Sequence, residues 1–257
     1  MLAARFALRS SVNVLDVGSG SGANVRALAS LLPEKQHWTL VDNDAAMLAS
    51  ARQALTAWAD RARADGETLV LSKDRAEIRI AFRIADLAGD LDSIFGTPAD
   101  LVTASAFFDL VSEDFARRFV RAVAAQGAVL HSALTYNGVQ RWTPHRPDDN
   151  RMTAAFHRHQ LGDKGFGPAL GPMASSFLSD QLQMAGYSVI EGESPWVLDR
   201  NDRMLIEELV RGHAFAVADT GAIDGATLEK WVRVVRSGAV VGHTDTFAVP
   251  TDRVAIS

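Results

Sequence analysis

Cysteine is absent from all 257 residues, which excludes disulfides, zinc–thiolate centres and a thiol nucleophile. Runs of lysine or arginine are missing too: 26 basic residues face 31 acidic ones, for a net charge of −5. With no basic stripe to neutralise a phosphate backbone, a nucleic-acid partner is not expected. No apolar stretch approaches the roughly 20 residues that cross a bilayer, so a membrane partner is not expected either. The first residues, with arginines at positions 5 and 9, lack the clean apolar core of a secretory leader. These absences predict a cytoplasmic chain. What remains is 47% hydrophobic and 22% charged, enough to bury a full core in one α/β domain spanning 1–257.

The informative residues lie between 12 and 52. An apolar run, Val12 to Leu15, ends in Asp16; Gly18, Gly20 and Gly22 follow at alternate positions, and a helical pattern opens at Asn24. A strand turning through glycines into a helix presents bare backbone N–H groups to a ligand. Glycine serves there because its φ is free and no Cβ blocks approach. The acid two residues before the first glycine suits a cationic or hydroxyl-bearing ligand better than a pyrophosphate. Gly18-x-Gly20-x-x-Ala23 nevertheless also satisfies the dinucleotide fingerprint, so the glycines alone leave NAD open. A second apolar strand, Trp38 to Val41, ends in Asp42, whose carboxylate can hold both ribose hydroxyls of either ligand.

Taken together, Asp16-x-Gly18-x-Gly20-x-Gly22 and the linked Asp44-Ala-Ala-Met47-Leu-Ala-Ser-Ala51 resemble the class I S-adenosylmethionine-dependent methyltransferases. The resemblance implies S-adenosylmethionine as cofactor. It places Gly18, Ser19, Gly20 and Asn24 against the cofactor's amino-acid end, with Asp16 anchoring the site beneath. Asp42, with Asn43 and Met47 beside it, would serve the ribose. Asp86 would accept from the adenine amino group, and Leu87 would pack on the ring. Ser105 and Phe107 would line the sulfonium and methyl group, although Phe107 reads equally well as core. Two alternatives stay open: a non-catalytic protein that binds the same cofactor or a nucleotide, and an NAD(P)-dependent oxidoreductase.

Strands alternate with helices along the chain, which predicts a Rossmann-like α/β fold: a mostly parallel twisted sheet with helices on both faces. The parallel strands are expected at 12–17, 38–41, 77–84, 101–104 and 128–134, with a hairpin arm at 68–72. Helices are expected at 24–32, 45–64 and 112–125. The later half is less regular. A helix at 174–185, strands at 187–191 and 240–249, and helices at 203–218 and 227–236 predict an antiparallel C-terminal strand pair. Two insertions are expected, at about 135–173 and 199–238.

Methyl transfer needs a general base only where the acceptor must lose a proton early. Of seven histidines, His131, His213 and His243 read as structural, whereas His145, His157 and His159 share the first insertion. Tyr136, His145 and His157 are therefore the candidate catalytic residues. His157-x-His159 without a matched third ligand does not predict a metal. After the strand at 101–104 the chain reads Thr103-Ala-Ser-Ala-Phe-Phe, without the proline pair of methyltransferases that act on nucleic-acid bases. A small-molecule acceptor, methylated at oxygen or nitrogen, is expected. Arg141, Arg146, Arg151, Arg158 and Lys164 in the first insertion favour an acidic one. That insertion, with its glycines and Trp142, Phe156 and Phe166, is expected to wall the acceptor pocket.

Overall fold

The structure is a computed structural model that describes residues 1–251. Ten strands form one sheet in the order β3-β4-β5-β2-β1-β6-β7-β10-β8, with β9 beside β10. Its centre is parallel: β5 (Ala76–Ile84), β2 (Lys35–Asp42), β1 (Ser11–Val17), β6 (Leu101–Ser105) and β7 (Val129–Thr143). At one edge β3 (Arg61–Asp65) and β4 (Thr68–Lys73) run antiparallel; at the other so do β10 (Gly238–Pro250), β8 (Tyr187–Glu193) and β9 (Trp196–Leu198). Chain order reverses between β1 and β6, and open α/β sheets bind ligands at the carboxyl ends of strands flanking such a switch.

Strand alternation divides the core. In β1, Val12 and Val14 point to one face with Trp38 and Leu40, while Leu15 and Val17 point to the other with Val102 and Leu130. Helices α1 (Leu2–Phe6), α2 (Ala23–Leu28) and α3 (Ala45–Trp58) cover the first face. The second is covered by α4 (Leu87–Ile94), α5 (Glu113–Gln126) and α7 (Ala174–Met184). Sequence dictates α5 in detail. Ser112 Oγ accepts from the Phe115 N–H, and the apolar stripe Phe115, Ala116, Phe119, Val120, Val123 is buried. Gly127 closes the helix at φ +61°, a conformation only glycine adopts freely. Each large side chain so buried contributes about 1.5–3 kcal/mol.

A third apolar cluster lies beyond the sheet's faces. Helices α6 (Asp149–Gln160), α8 (Arg203–Asp219) and α9 (Gly225–Val232) bury Met152, Ile206, Val210, Val217 and Trp231 against Trp142 of β7 and Ala239 of β10. A buried ion pair locks it: Arg236 Nη2 donates to Asp149 Oδ1 (2.7 Å), and Trp231 Nε1 donates to the same oxygen (2.7 Å).

Several predicted boundaries change. The helix expected over 45–64 stops at Trp58, because Arg61–Asp65 forms a hairpin with β4 through Gly66 at φ +61°. The strand expected to end at Leu134 runs on to Thr143, since β10 pairs along it; the register shifts near Thr244 take up the irregularity. Residues expected to begin the insertion are thus part of the sheet. Helices α4 and α6 lie where none was predicted. Among the described residues, no helix is long and apolar enough to cross a membrane.

Candidate active site

The glycine turn after β1 builds the first half of the site. Gly18, Gly20 and Gly22 adopt φ of +60°, +49° and +72°. A Cβ on Gly18 would stand 3.0 Å from Phe107, and one on Gly22 would stand 2.9 Å from Leu55, so both are needed for packing. At Gly20 a Cβ would meet no protein atom within 4 Å: that face of the loop is bare. Asp42 ties the turn to β2, accepting from the Gly20 N–H (2.8 Å) and the Asp44 N–H (3.0 Å).

Asp16 is fully buried beneath the turn, where Asn24 Nδ2 donates to its Oδ1 (2.8 Å) and Oδ2 has no partner. Burial pushes its carboxyl up to about 7; the Asn24 hydrogen bond opposes this, and the charge of Asp42 reinforces it. Ser19 Oγ is likewise buried and unpartnered. The Ser19, Gly20 and Gly22 N–H groups are taken by Val41 O, Asp42 Oδ2 and Ser19 O. The open groups at the turn are therefore the orphaned Asp16 oxygen and the Ser19 hydroxyl, which fit the ammonium of S-adenosylmethionine.

A cavity of about 270 Å³ opens from this turn, lined by Gly18, Asp42, Asn43, Leu87, Ser105 and Phe107 among others. Six of the expected cofactor residues thus come together. Met47 is exposed on α3 and does not line it; Asp86, also outside the lining, caps α4 by accepting from the Ala88 N–H (3.0 Å). Lys164 and Phe166, from the chain after α6, do line it. Phe166 packs edge-on against Phe107 at 5.6 Å between centroids, so Phe107 is at once core and cavity wall.

A second cavity of about 430 Å³ adjoins the first, and Ala106 lines both. Its walls come from distant parts of the chain: Asp109 after β6, Tyr136 and Gln140 on β7, Phe156 and Gln160 on α6, Trp196 on β9, Gly212 and His213 on α8, and His243 on β10. Ala106, just after β6, and Leu134, within β7, hold φ of +51° and +55°. Backbone strain of this kind concentrates at functional sites.

The candidate catalytic residues divide here. Tyr136 lines the cavity; its hydroxyl meets His157 Nε2 at 3.0 Å. Burial and the Asp109 charge push the Tyr136 phenol above its ordinary range. His157, held below its usual value chiefly by burial, supports Tyr136 from outside the lining. His145 is exposed, 3.3 Å from Asp149, and lines neither cavity. His213 and His243, expected to be structural, line the second cavity. Burial holds His213 down at about 4, stacked on Phe156 at 4.5 Å. Asp109 was also missed. It is 6% exposed, and burial raises its carboxyl to about 6. Nothing in its local sequence, Phe107-Phe-Asp109-Leu, distinguishes it from a turn residue. Of the five basic residues expected to favour an acidic acceptor, Arg141, Arg146, Arg151 and Arg158 do not line this cavity, and Lys164 lines the first.

Residues 14–85 match the family of the methyltransferase domain. The fold is similar to that of a provisionally assigned methyltransferase from Bacillus halodurans C-125, at TM-score 0.54 and 13% identity over 97% of each chain. It is also similar to the YcgJ protein from Bacillus subtilis (TM-score 0.52, 11% identity, 98% of this chain and 97% of that one). A third similar fold is a cyclopropane-fatty-acyl-phospholipid synthase-like protein from Lactobacillus casei (TM-score 0.52, 15% identity, 96% and 88%). No curated protein matches the sequence.

Proposed function

We propose, from the premise that this chain is a class I S-adenosylmethionine-dependent methyltransferase, that it methylates a small molecule, at oxygen or nitrogen, in the second cavity. The observation that carries this reading is the junction at Ala106, where the cavity of about 430 Å³ meets the cofactor cleft. That volume suits a small ligand.

S-adenosylmethionine supplies a methyl group already activated by the sulfonium charge. The residues of this chain then have to position, shield and receive protons. Asp16 would hold the cofactor's ammonium and Asp42 its ribose, with the open face of the turn at Gly20 leaving room for its amino-acid end. Phe107 and Phe166 keep water from the reacting centre. Tyr136, held by His157, orients the acceptor. Positioning of this kind, with reacting atoms at about 3–3.5 Å, supplies much of the acceleration.

Gly212 provides the test. It lies on α8 at the cavity wall, and a Cβ there would meet no atom within 4 Å. Gly212→Leu should fill the cavity without disturbing the helix, since leucine is the better helix former. Transfer of labelled methyl to a panel of small amines and alcohols should fall at least about 100-fold, the scale of a misplaced acceptor. Affinity for S-adenosylhomocysteine should not change. Undiminished transfer, or label entering only macromolecules, would overturn the reading.

A further inference from the structure

Three residues around the second cavity carry buried side-chain oxygens without a partner: Asp109 Oδ1, Gln140 Oε1 and Gln160 Oε1. An unpaired buried group costs about 1–3 kcal/mol, so such atoms are rare and seldom share one cavity. Their gathering here marks a place where a ligand completes the hydrogen bonding. The three oxygens can only accept, so the ligand must bring donors.

Charge narrows the choice. Asp109 lies inside the cavity and Glu208 at its exposed rim; among the described residues no lysine or arginine lines it. Tyr136, Phe156 and Trp196 supply aromatic surface. Ring faces attract cations. An anionic acceptor would meet the Asp109 carboxylate with no lysine or arginine of this cavity's wall to offset the repulsion.

Building on the reading that this cavity holds the acceptor, we propose that the acceptor is a small amine, bound as its ammonium form with Asp109 as counter-charge. Asp109 is then a specificity-determining residue. It also serves the chemistry, because an ammonium nitrogen has no free electron pair. The N–H bond breaks toward the Asp109 carboxylate, the pair stays on nitrogen, and ammonium plus carboxylate become amine plus carboxylic acid. A carboxyl that burial has raised to about 6 is a better proton acceptor than an ordinary aspartate.

The test compares 2-phenylethylamine, 2-phenylethanol and 3-phenylpropionate, three probes of similar size and different charge. Binding is measured by titration calorimetry at pH 7.5 with S-adenosylhomocysteine present, so no turnover enters. The amine should bind about tenfold or more tighter than the alcohol, and the carboxylate weakest, as expected for a charge-assisted pair over an aromatic surface. Asp109→Asn should erase the preference while S-adenosylhomocysteine binds as before, which certifies the fold. Gly212→Leu should weaken the amine, which places it in this cavity. Equal or tighter binding of the alcohol or carboxylate, no binding of any probe, or a preference that survives Asp109→Asn would overturn the proposal. Failure of the acceptor-cavity reading registers separately, as methyl transfer that Gly212→Leu leaves intact.

Discussion

The two cavities are neighbours built on opposite plans. The cofactor cleft starts from a local motif, the glycine turn after β1 with the acid at the end of β2, and is completed by Leu87, Ser105, Phe107, Lys164 and Phe166 from farther along the chain. Asp42 is engaged there, accepting from both Gly20 and Asp44, while Asp16 Oδ2 and Ser19 Oγ beneath the turn have no partner. The second cavity is shaped by side chains from α6, α8, β7, β9 and β10, and it concentrates unpartnered polar atoms. A cleft for an invariant ligand can be made once, from local geometry. A pocket for a variable acceptor is better made from a separate layer whose side chains can change without disturbing the turn.

The strongest way to break this contrast is to remove the lock on the second layer. Asp149 and Arg236 are both buried, and Asp149 also accepts from Trp231. Asp149→Ala leaves the guanidinium buried and uncompensated, which should cost about 3–5 kcal/mol. The loss is read as a lowered Tm. Below that Tm, S-adenosylhomocysteine affinity should stay within a factor of about two, because the cofactor cleft lies outside the α6–α8–α9 layer. A large loss of cofactor affinity in the folded variant would show that the layers are not separable.

A smaller effect tests the cofactor side. Burial raises Asp16 to about 7, so the ligand-free fold holds its proton at pH values where an unfolded aspartate has lost it. The raised value makes Asp16 destabilising as pH climbs from about 4 to 7, with no further change above. A cofactor ammonium pairs only with the carboxylate. Affinity for S-adenosylhomocysteine should therefore rise about tenfold from pH 6 to 8, following the ionised fraction. Asp16→Asn should flatten this profile. A profile that rises unaltered in the variant would assign the titration to another group.

The smallest effect is expected at His145, which sits outside both cavities. His145→Ala should change stability by no more than about 1 kcal/mol, as for other exposed pairs, and leave the rate of methyl transfer unaltered. A clear fall in rate with unchanged Tm would return His145 to the reaction.

The contrast between the layers also explains what could be read from the chain. Asp16, Gly18, Gly20 and Asp42 were legible because strand, turn and helix signals are contiguous, and contiguous signals report local backbone geometry. The α5 cap and stripe were legible for the same reason. Asp86 and Met47 were placed by motif spacing, yet side-chain direction takes one to a helix cap and the other to solvent. His213 and His243 read as structural because periodicity reports that a residue is buried and not whether its neighbours leave a void beside it.

The sequence by itself determined the parallel sheet, the glycine turn and the acids at the ends of β1 and β2, because each depends on interactions a few residues long or on strand alternation. Only the tertiary structure decided that β7 runs on to Thr143, that α6, α8 and α9 close over its end, and that Asp109 and Tyr136 line one cavity. Those outcomes depend on residues far apart in the chain, such as Asp149 with Arg236 and Leu134 with Asp245, whose pairing no local pattern encodes.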